Sequence, residues 1–271
     1  MWIIKSLLPL FVCALLGAAP APAPPADKAL TAPLLPGEAL AVAGTDGQVH
    51  LFGAEPSRES AMGGLAMLPW IKLEGMSWAS DDLRFACTGK WDGQPCWQPK
   101  GHGKLNLASA LLLDCHLAFL GWGRASLHGW LRDYGDGAAR ARLEDAFEPF
   151  LGHRIPPGNG LPAISPDWVG DGELLRTSPE AMLTWLLDPA QDETVRHCKR
   201  LLTTFKNYNY AENAWWIKAA YAPEGTEAPV GRAWAVGSNG QITAVLRLPR
   251  GGGWADAMRR FREILMVPKG M

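Results

Sequence analysis

In the stretch Glu59-Ser-Ala-Met-Gly-Gly-Leu-Ala-Met-Leu68, a serine precedes an apolar run with helical spacing. A serine hydroxyl attacks acyl groups only when a positioned base removes its proton. A lysine one helical turn later would share its face and serve as that base. Here that place is Gly63. Two other short stretches carry acidic, basic or cationic side chains: Asp114-Cys115-His116 and Lys218-Ala219-Ala220. Ser60, His116 and Asp114 are the residue types of a Ser–His–Asp site, an arrangement recognised by geometry and not by chain order. The competing reading makes Asp114 a cap for the helix that follows and His116 a partly buried polar residue.

The cysteines and histidines point elsewhere. Cys13 lies in the N-terminal apolar run, leaving Cys87, Cys96, Cys115 and Cys198. In an oxidising compartment four cysteines allow three disulfide connectivities. Cys87–Cys96 is favoured, because the Gly/Pro turn "TGKWDGQP" can bring its ends together. Cys115–Cys198 is then a long-range staple, or the two are free buried thiols. The six histidines lack i, i+4 spacing and the chain has no Cys-x-x-Cys pair, so neither a metal nor another cofactor is expected.

The chain that must position these groups has 271 residues. Residues 1–26 hold an early lysine, a short apolar stretch and a small-residue and proline tract, the order of a secretory signal peptide. A periplasmic or secreted protein is expected, with no membrane span once that segment is removed. Residues 27–37 read as an extended linker and 38–271 as one domain. A formal net charge of −1 gives no electrostatic case for nucleic-acid binding. Thirteen tryptophans fit a core in a loop-rich fold, or an exposed glycan-binding row around Trp91 and Trp97.

"EALAVAGTDGQVHLFG" reads as a hairpin turned at Asp46-Gly47. Ser60 to Glu74 has helical apolar spacing, weakened by Gly63, Gly64 and Pro69. "LNLASALLLDCHLAFLGWG" reads as a buried helix broken near Asp114, with a second, short helix from Leu117. Residues 124–150 keep helical spacing. Ser178 and Pro179 begin a well-signalled helix that Pro189 follows. "AWWIKAAYAP", "GRAWAVGSNG" and "QITAVLRLP" read as three strands, and "WADAMRRFREILMV" as an amphipathic helix. The expected fold is α/β (α+β). N- and C-terminal strands share one antiparallel sheet packed by helices, with a mostly helical insert at about 75–210.

This layout, with the phrases "ESAMGGLAMLPWIKLEG", "CTGKWDGQPCWQPKGHGKLNLASALLLDCHLAFLGWG" and "WWIKAAYAPEG", resembles the penicillin-binding-protein transpeptidase and serine β-lactamase superfamily. That family carries Ser-x-x-Lys, Ser-x-Asn and Lys-Thr-Gly in this order. Aligned so, the motifs become Ser60-Ala-Met-Gly63, Asp114-Cys115-His116 and Lys218-Ala219-Ala220. The base is lost at Gly63, and the third motif loses its hydroxyl at Ala219 and its glycine at Ala220. Thr203-Thr-Phe-Lys206 imitates the first motif in letters, but falls after the second and is read as a decoy. The resemblance implies a catalytically degenerate envelope protein that binds rather than turns over. Its implied partners are a peptidoglycan peptide or another envelope protein, such as the α2-macroglobulin-like proteins beside which some such relatives are encoded. The alternative is an active serine acyl hydrolase or transpeptidase using Ser60 with His116 or Lys218.

Overall fold

The computed structural model describes residues 30, 32–78, 83–155, 165–170, 175–203, 215–223 and 231–265, so the expected signal peptide and Lys206 lie outside the described residues. In chain order the elements are β1 (Ala39–Ala43), β2 (Val49–Gly53), β3 (Ser60–Ala61), a 3-10 turn (Gly63–Ala66), α1 (Met67–Trp78), β4 (Phe85–Cys87), β5 (Lys90–Trp91), β6 (Gln94–Pro95) and β7 (Gly103–Leu105). There follow α2 (Leu107–Leu112), α3 (His116–Leu151), β8 (Arg176–Thr177), α4 (Pro179–Leu187), α5 (Asp192–Thr203), β9 (Trp216–Pro223), β10 (Gly231–Ser238), β11 (Thr243–Arg247) and α6 (Trp254–Leu265).

The expected hairpin forms. β1 and β2 pair from Ala39↔Gly53 to Ala43↔Val49, and Gly47 takes the left-handed conformation in the turn, at φ +70°. The three late strands form a meander, and β11 pairs with β1, giving one antiparallel sheet in the order β2-β1-β11-β10-β9. N- and C-terminal strands therefore share a sheet, as the strand pattern implied.

Period-2 alternation sends side chains to both faces of this sheet, and both are buried. Leu40, Val42, Ile217 and Ala219 pack with Phe261 and Ile264 of α6 on one side. Ala41, Ala220 and Trp234 join the larger core of the helical region on the other. Trp70 anchors that core: it stacks on Trp78 and Trp130, with ring centroids 5.6 and 6.2 Å away, and donates Nε1–H to the Trp168 carbonyl at 2.9 Å. Among the described tryptophans only Trp97 is exposed, at 45%. The indoles build the interior, and no exposed row surrounds Trp91 and Trp97.

Two sequence expectations change. The apolar spacing from Ser60 does not begin a helix there: Ser60 and Ala61 pair as a strand with Thr177 and Arg176. The α-helix starts only at Met67, which puts Pro69 in the first turn, where a missing N–H is tolerated. The helix expected from Leu117 begins at His116 and runs on to a break at Gly135 (φ +78°, ψ +172°), after which a second helical stretch continues to Leu151. Ser178 caps α4 as read, accepting from Ala181 N at 3.1 Å.

α6 is fastened to the start of β1 by a buried ion pair. Arg260 donates from Nε to Glu38 Oε1 at 2.6 Å and from Nη2 to Glu38 Oε2 at 3.0 Å, with both residues at most 7% exposed. Removing one member of such a pair strands the other charge in the interior. Glu38→Ala is expected to lower unfolding free energy by about 3–5 kcal/mol, read from urea denaturation. A loss below about 1 kcal/mol would show that Arg260 finds water or another partner.

Candidate functional site

β9 runs along the sheet edge, and its Lys218 side chain is 1% exposed. The Nζ of Lys218 donates to Asp114 Oδ1 and, at 2.9 Å, to the Ala219 carbonyl. Asp114 sits in the tight turn between α2 and α3, in the left-handed conformation at φ +55°, which Asp adopts more readily than most residues. Its other carboxylate oxygen accepts the Tyr221 backbone N–H at 3.4 Å, and its carbonyl accepts Trp97 Nε1–H at 3.0 Å. One carboxylate thus satisfies a buried ammonium and an amide of the edge strand together. A buried pair of this kind is held by the cost of leaving either charge alone.

These groups lie at a cleft of about 440 Å³ lined by Gly64, Trp97, Asp114, His116, Tyr221 and Trp254, among others. The glycines that lead into α1 decide what the cleft contains. Gly63 has φ +57°, and a Cβ there would overlap the Tyr221 carbonyl. Gly64 faces the cleft: a Cβ built on it would overlap the Asp114 carboxylate. One turn further on, Met67 is fully buried in the main core. Position 63, expected to face the cleft floor, is therefore packed against backbone. Position 64 is the one that looks at the Asp114 carboxylate.

Ser60 is placed elsewhere. It is 2% exposed on β3, and its Oγ accepts from Arg247 Nη1 at 3.2 Å. Arg247 also binds the carbonyls of Ala54 and Glu55, at 3.1 and 2.9 Å, and that of Arg58. Ser60 thus helps hold a buried guanidinium. His116 and Lys218 do not approach it: His116 Nε2 lies 3.0 Å from the Pro95 carbonyl, and Lys218 is engaged by Asp114. The Ser60–His116–Asp114 site is not assembled, although His116 and Asp114 both line the cleft. Asp114 does not cap α3; that place belongs to Cys115, which makes no side-chain cap. Ala219 and Ala220 point to opposite faces of β9, with Ala219 toward α6 and Ala220 toward the main core. Ala219 therefore offers no group to the cleft.

The four described cysteines are free and buried. Cys87 and Cys96 are brought close, as their turn suggested, but as thiols. Cys115 joins them, together with His102, whereas Cys198 is outside this group. Cys198 is wholly interior on α5, and burial pushes its thiol up to about 12. The staple between Cys115 and Cys198 is not formed, because the turn at Asp114 directs Cys115 toward Cys96. Sequence reading missed Gly64 and Tyr221 at the cleft. Glycine carries no reactive group, so nothing in the sequence marked Gly64.

No family model matches the chain, and no curated protein sequence matches it. Solved structures do. The chain is similar to penicillin-binding protein PBP2 of Pseudomonas aeruginosa, at 13% identity and TM-score 0.57, covering 86% of this chain and 73% of that one. It is similar to PBPA of Mycobacterium tuberculosis, at 11% identity and TM-score 0.58, covering 87% and 76%. The class D β-lactamase OXA-427 gives 14% identity and TM-score 0.55, covering 82% and 93%. These likenesses span most of each chain and agree with the sheet order and helical insert described above, so the chain has the fold shared by penicillin-binding-protein transpeptidase domains and serine β-lactamases.

Proposed function

We propose that this chain is a catalytically silent member of that fold class, exported to the cell envelope, whose cleft holds a segment of a partner protein instead of acylating a substrate. The observation that carries the reading is Gly64. The one side-chain position at the head of α1 that faces the Asp114–Lys218 pair has no side chain. With Gly64 in the serine place, Met67 stands where the lysine base would be, a thioether that takes no proton at neutral pH. Acylation needs a nucleophile and a base within reach, and neither is supplied.

Asp114 supports the binding half of the reading. In the family the third-motif strand edge receives the substrate's anionic groups. Here the Asp114 carboxylate already occupies Lys218 and the Tyr221 amide. A ligand presenting a carboxylate at that point, such as a peptidoglycan stem peptide, would meet a like charge. The rest of the cleft is aromatic, with Trp97, Tyr221 and Trp254. Such walls suit an uncharged, apolar peptide segment. An envelope protein is the partner class these features favour, an α2-macroglobulin-like protein being the example the resemblance suggests.

Incubation with a fluorescent penicillin, followed by intact mass measurement, is expected to leave the protein unmodified. A covalent adduct on any residue would overturn the silent reading. Ser60→Ala is expected to cost about 1 kcal/mol of stability, the scale of one buried hydrogen bond, while leaving partner binding unchanged. Loss of binding without loss of stability would return Ser60 to the site.

Asp114→Asn tests the internal anion. It leaves a buried ammonium without its charge partner, and stability is expected to fall by about 3–5 kcal/mol. The vacated charge should then be taken by a carboxylate from solution. Acetate is expected to raise the melting temperature of Asp114→Asn and not that of the unaltered protein, because an anion that binds only the folded form stabilises it by mass action. Equal response of the two proteins would show that Asp114 does not block the site.

A further inference from the structure

At the cleft wall, which Cys96 helps to line, lies a second constellation that the silent acylation site does not use. Cys87, Cys96, His102 and Cys115 each offer one ligand atom, and all four atoms lie within 4.8 Å of one another. The three cysteines are buried and His102 is partly so. The Nδ1 of His102 is 3.4 Å from Cys96 Sγ. Its Nε2 is buried without a hydrogen-bond partner among the described residues. That leaves Nδ1, the nitrogen facing the sulfurs, as the ligating atom. Around a tetrahedral zinc, with Zn–S near 2.3 Å, neighbouring ligand atoms stand roughly 3.5–3.8 Å apart. The Cys96–His102 pair has that spacing, and all four atoms lie within the 4.8 Å that a small inward shift around an ion would close.

The surrounding backbone is built to deliver them. β4 pairs with β7, Cys87 lying opposite Gly103, which brings the segment after His102 beside Cys87. The β5–β6 hairpin returns the chain so that Cys96 N–H donates to the Gly89 carbonyl at 2.8 Å. Gly89 (φ +94°) and Gly101 (φ +75°) allow the two loops to touch: a Cβ on Gly89 would overlap the Pro99 carbonyl, and one on Gly101 the Cys87 carbonyl. Cys115 arrives from the turn after Asp114, at the N-cap of α3.

We infer that Cys87, Cys96, His102 and Cys115 form a closed, tetrahedral Cys₃His site for a structural zinc ion, and that this ion fixes the cleft wall carrying Trp97 and Asp114. All four positions around such an ion would be filled by protein, so it has no open position for substrate and its role is structural. The link to the cleft is covalent and short. Cys96 precedes Trp97, and Cys115 stands between Asp114 and His116. Trp97 closes the connection by donating to the Asp114 carbonyl at 3.0 Å. This inference corrects the expectation of no metal: the spacing Cys-x₈-Cys-x₅-His-x₁₂-Cys has neither a Cys-x-x-Cys nor a His pair, and only the fold gathers it.

The test uses the full chain, exported to the periplasm and purified without chelator. Metal analysis and native mass spectrometry are expected to find about one zinc per chain. Alkylation under denaturing, non-reducing conditions should label all four cysteines after chelation. Cys198→Ser should keep the zinc, while Cys96→Ser and His102→Ala should lose it. Because those two variants can misfold, the unaltered protein is also loaded with Co²⁺. It should develop the intense visible d–d bands of tetrahedral cobalt and the ultraviolet thiolate charge-transfer band. A protein without zinc even when zinc is supplied, with Cys96 recovered in a disulfide to Cys87 or Cys115, would overturn the inference in favour of a redox staple. Zinc held equally by folded Cys96→Ser protein would overturn it as well. Neither outcome bears on penicillin acylation, so this site and the proposed function stand or fall separately.

Discussion

The contact between Lys218 and Asp114 sets the terms for everything around it. Two charged groups sit almost entirely out of water, where either alone would cost several kcal/mol. They must therefore meet, and meeting joins the edge strand of the sheet to the turn between two helices. The demand reaches further. Asp114 has to adopt a left-handed backbone, Tyr221 has to aim its amide at the same carboxylate, and the head of α1 has to leave room. Gly64 supplies that room by having no side chain. Charge, backbone conformation and excluded volume are one constraint seen from three residues.

A scaffold shared with acylating enzymes does not carry their chemistry with it. In this chain the Asp114 carboxylate lies where a Cβ on Gly64 would stand, and the Lys218 ammonium is already neutralised within the protein. Catalysis asks for groups held short of satisfaction until a substrate arrives. Here the polar groups satisfy one another. The aromatic side chains of Trp97, Tyr221 and Trp254 line the space that remains.

The same turn is gripped from its other side by sulfur and imidazole. Cys115 follows Asp114 directly, so the ion pair and the Cys₃His cluster share a backbone segment. A rigid cleft wall in a loop-rich region needs such anchors, because the tiny strands β4 to β7 bury little apolar surface of their own. The tryptophans provide the rest of the rigidity from within, through the stack at Trp70, Trp78 and Trp130.

Local signals in the sequence determined the elements that local physics controls. Asp46-Gly47 turned the first hairpin, Ser178 and Pro179 opened α4, and short apolar runs marked the three late strands, because each rests on neighbours within a few residues. The motif order and strand layout also carried the fold. The candidate site was not legible in the same way. Ser60 drew attention because serine is a reactive type, yet its place was decided by pairing with Thr177 and by Arg247, both far along the chain. Gly64 bears no chemical label, and its importance is a volume that exists only when Asp114 is opposite. The cysteines and His102 were visible one by one, but irregular spacing hid them as a set until β4 met β7. Sequence alone determined what each segment prefers and which residue types were present. Tertiary structure alone decided which of them share a space, since that depends on burial and long-range pairing that no short window contains.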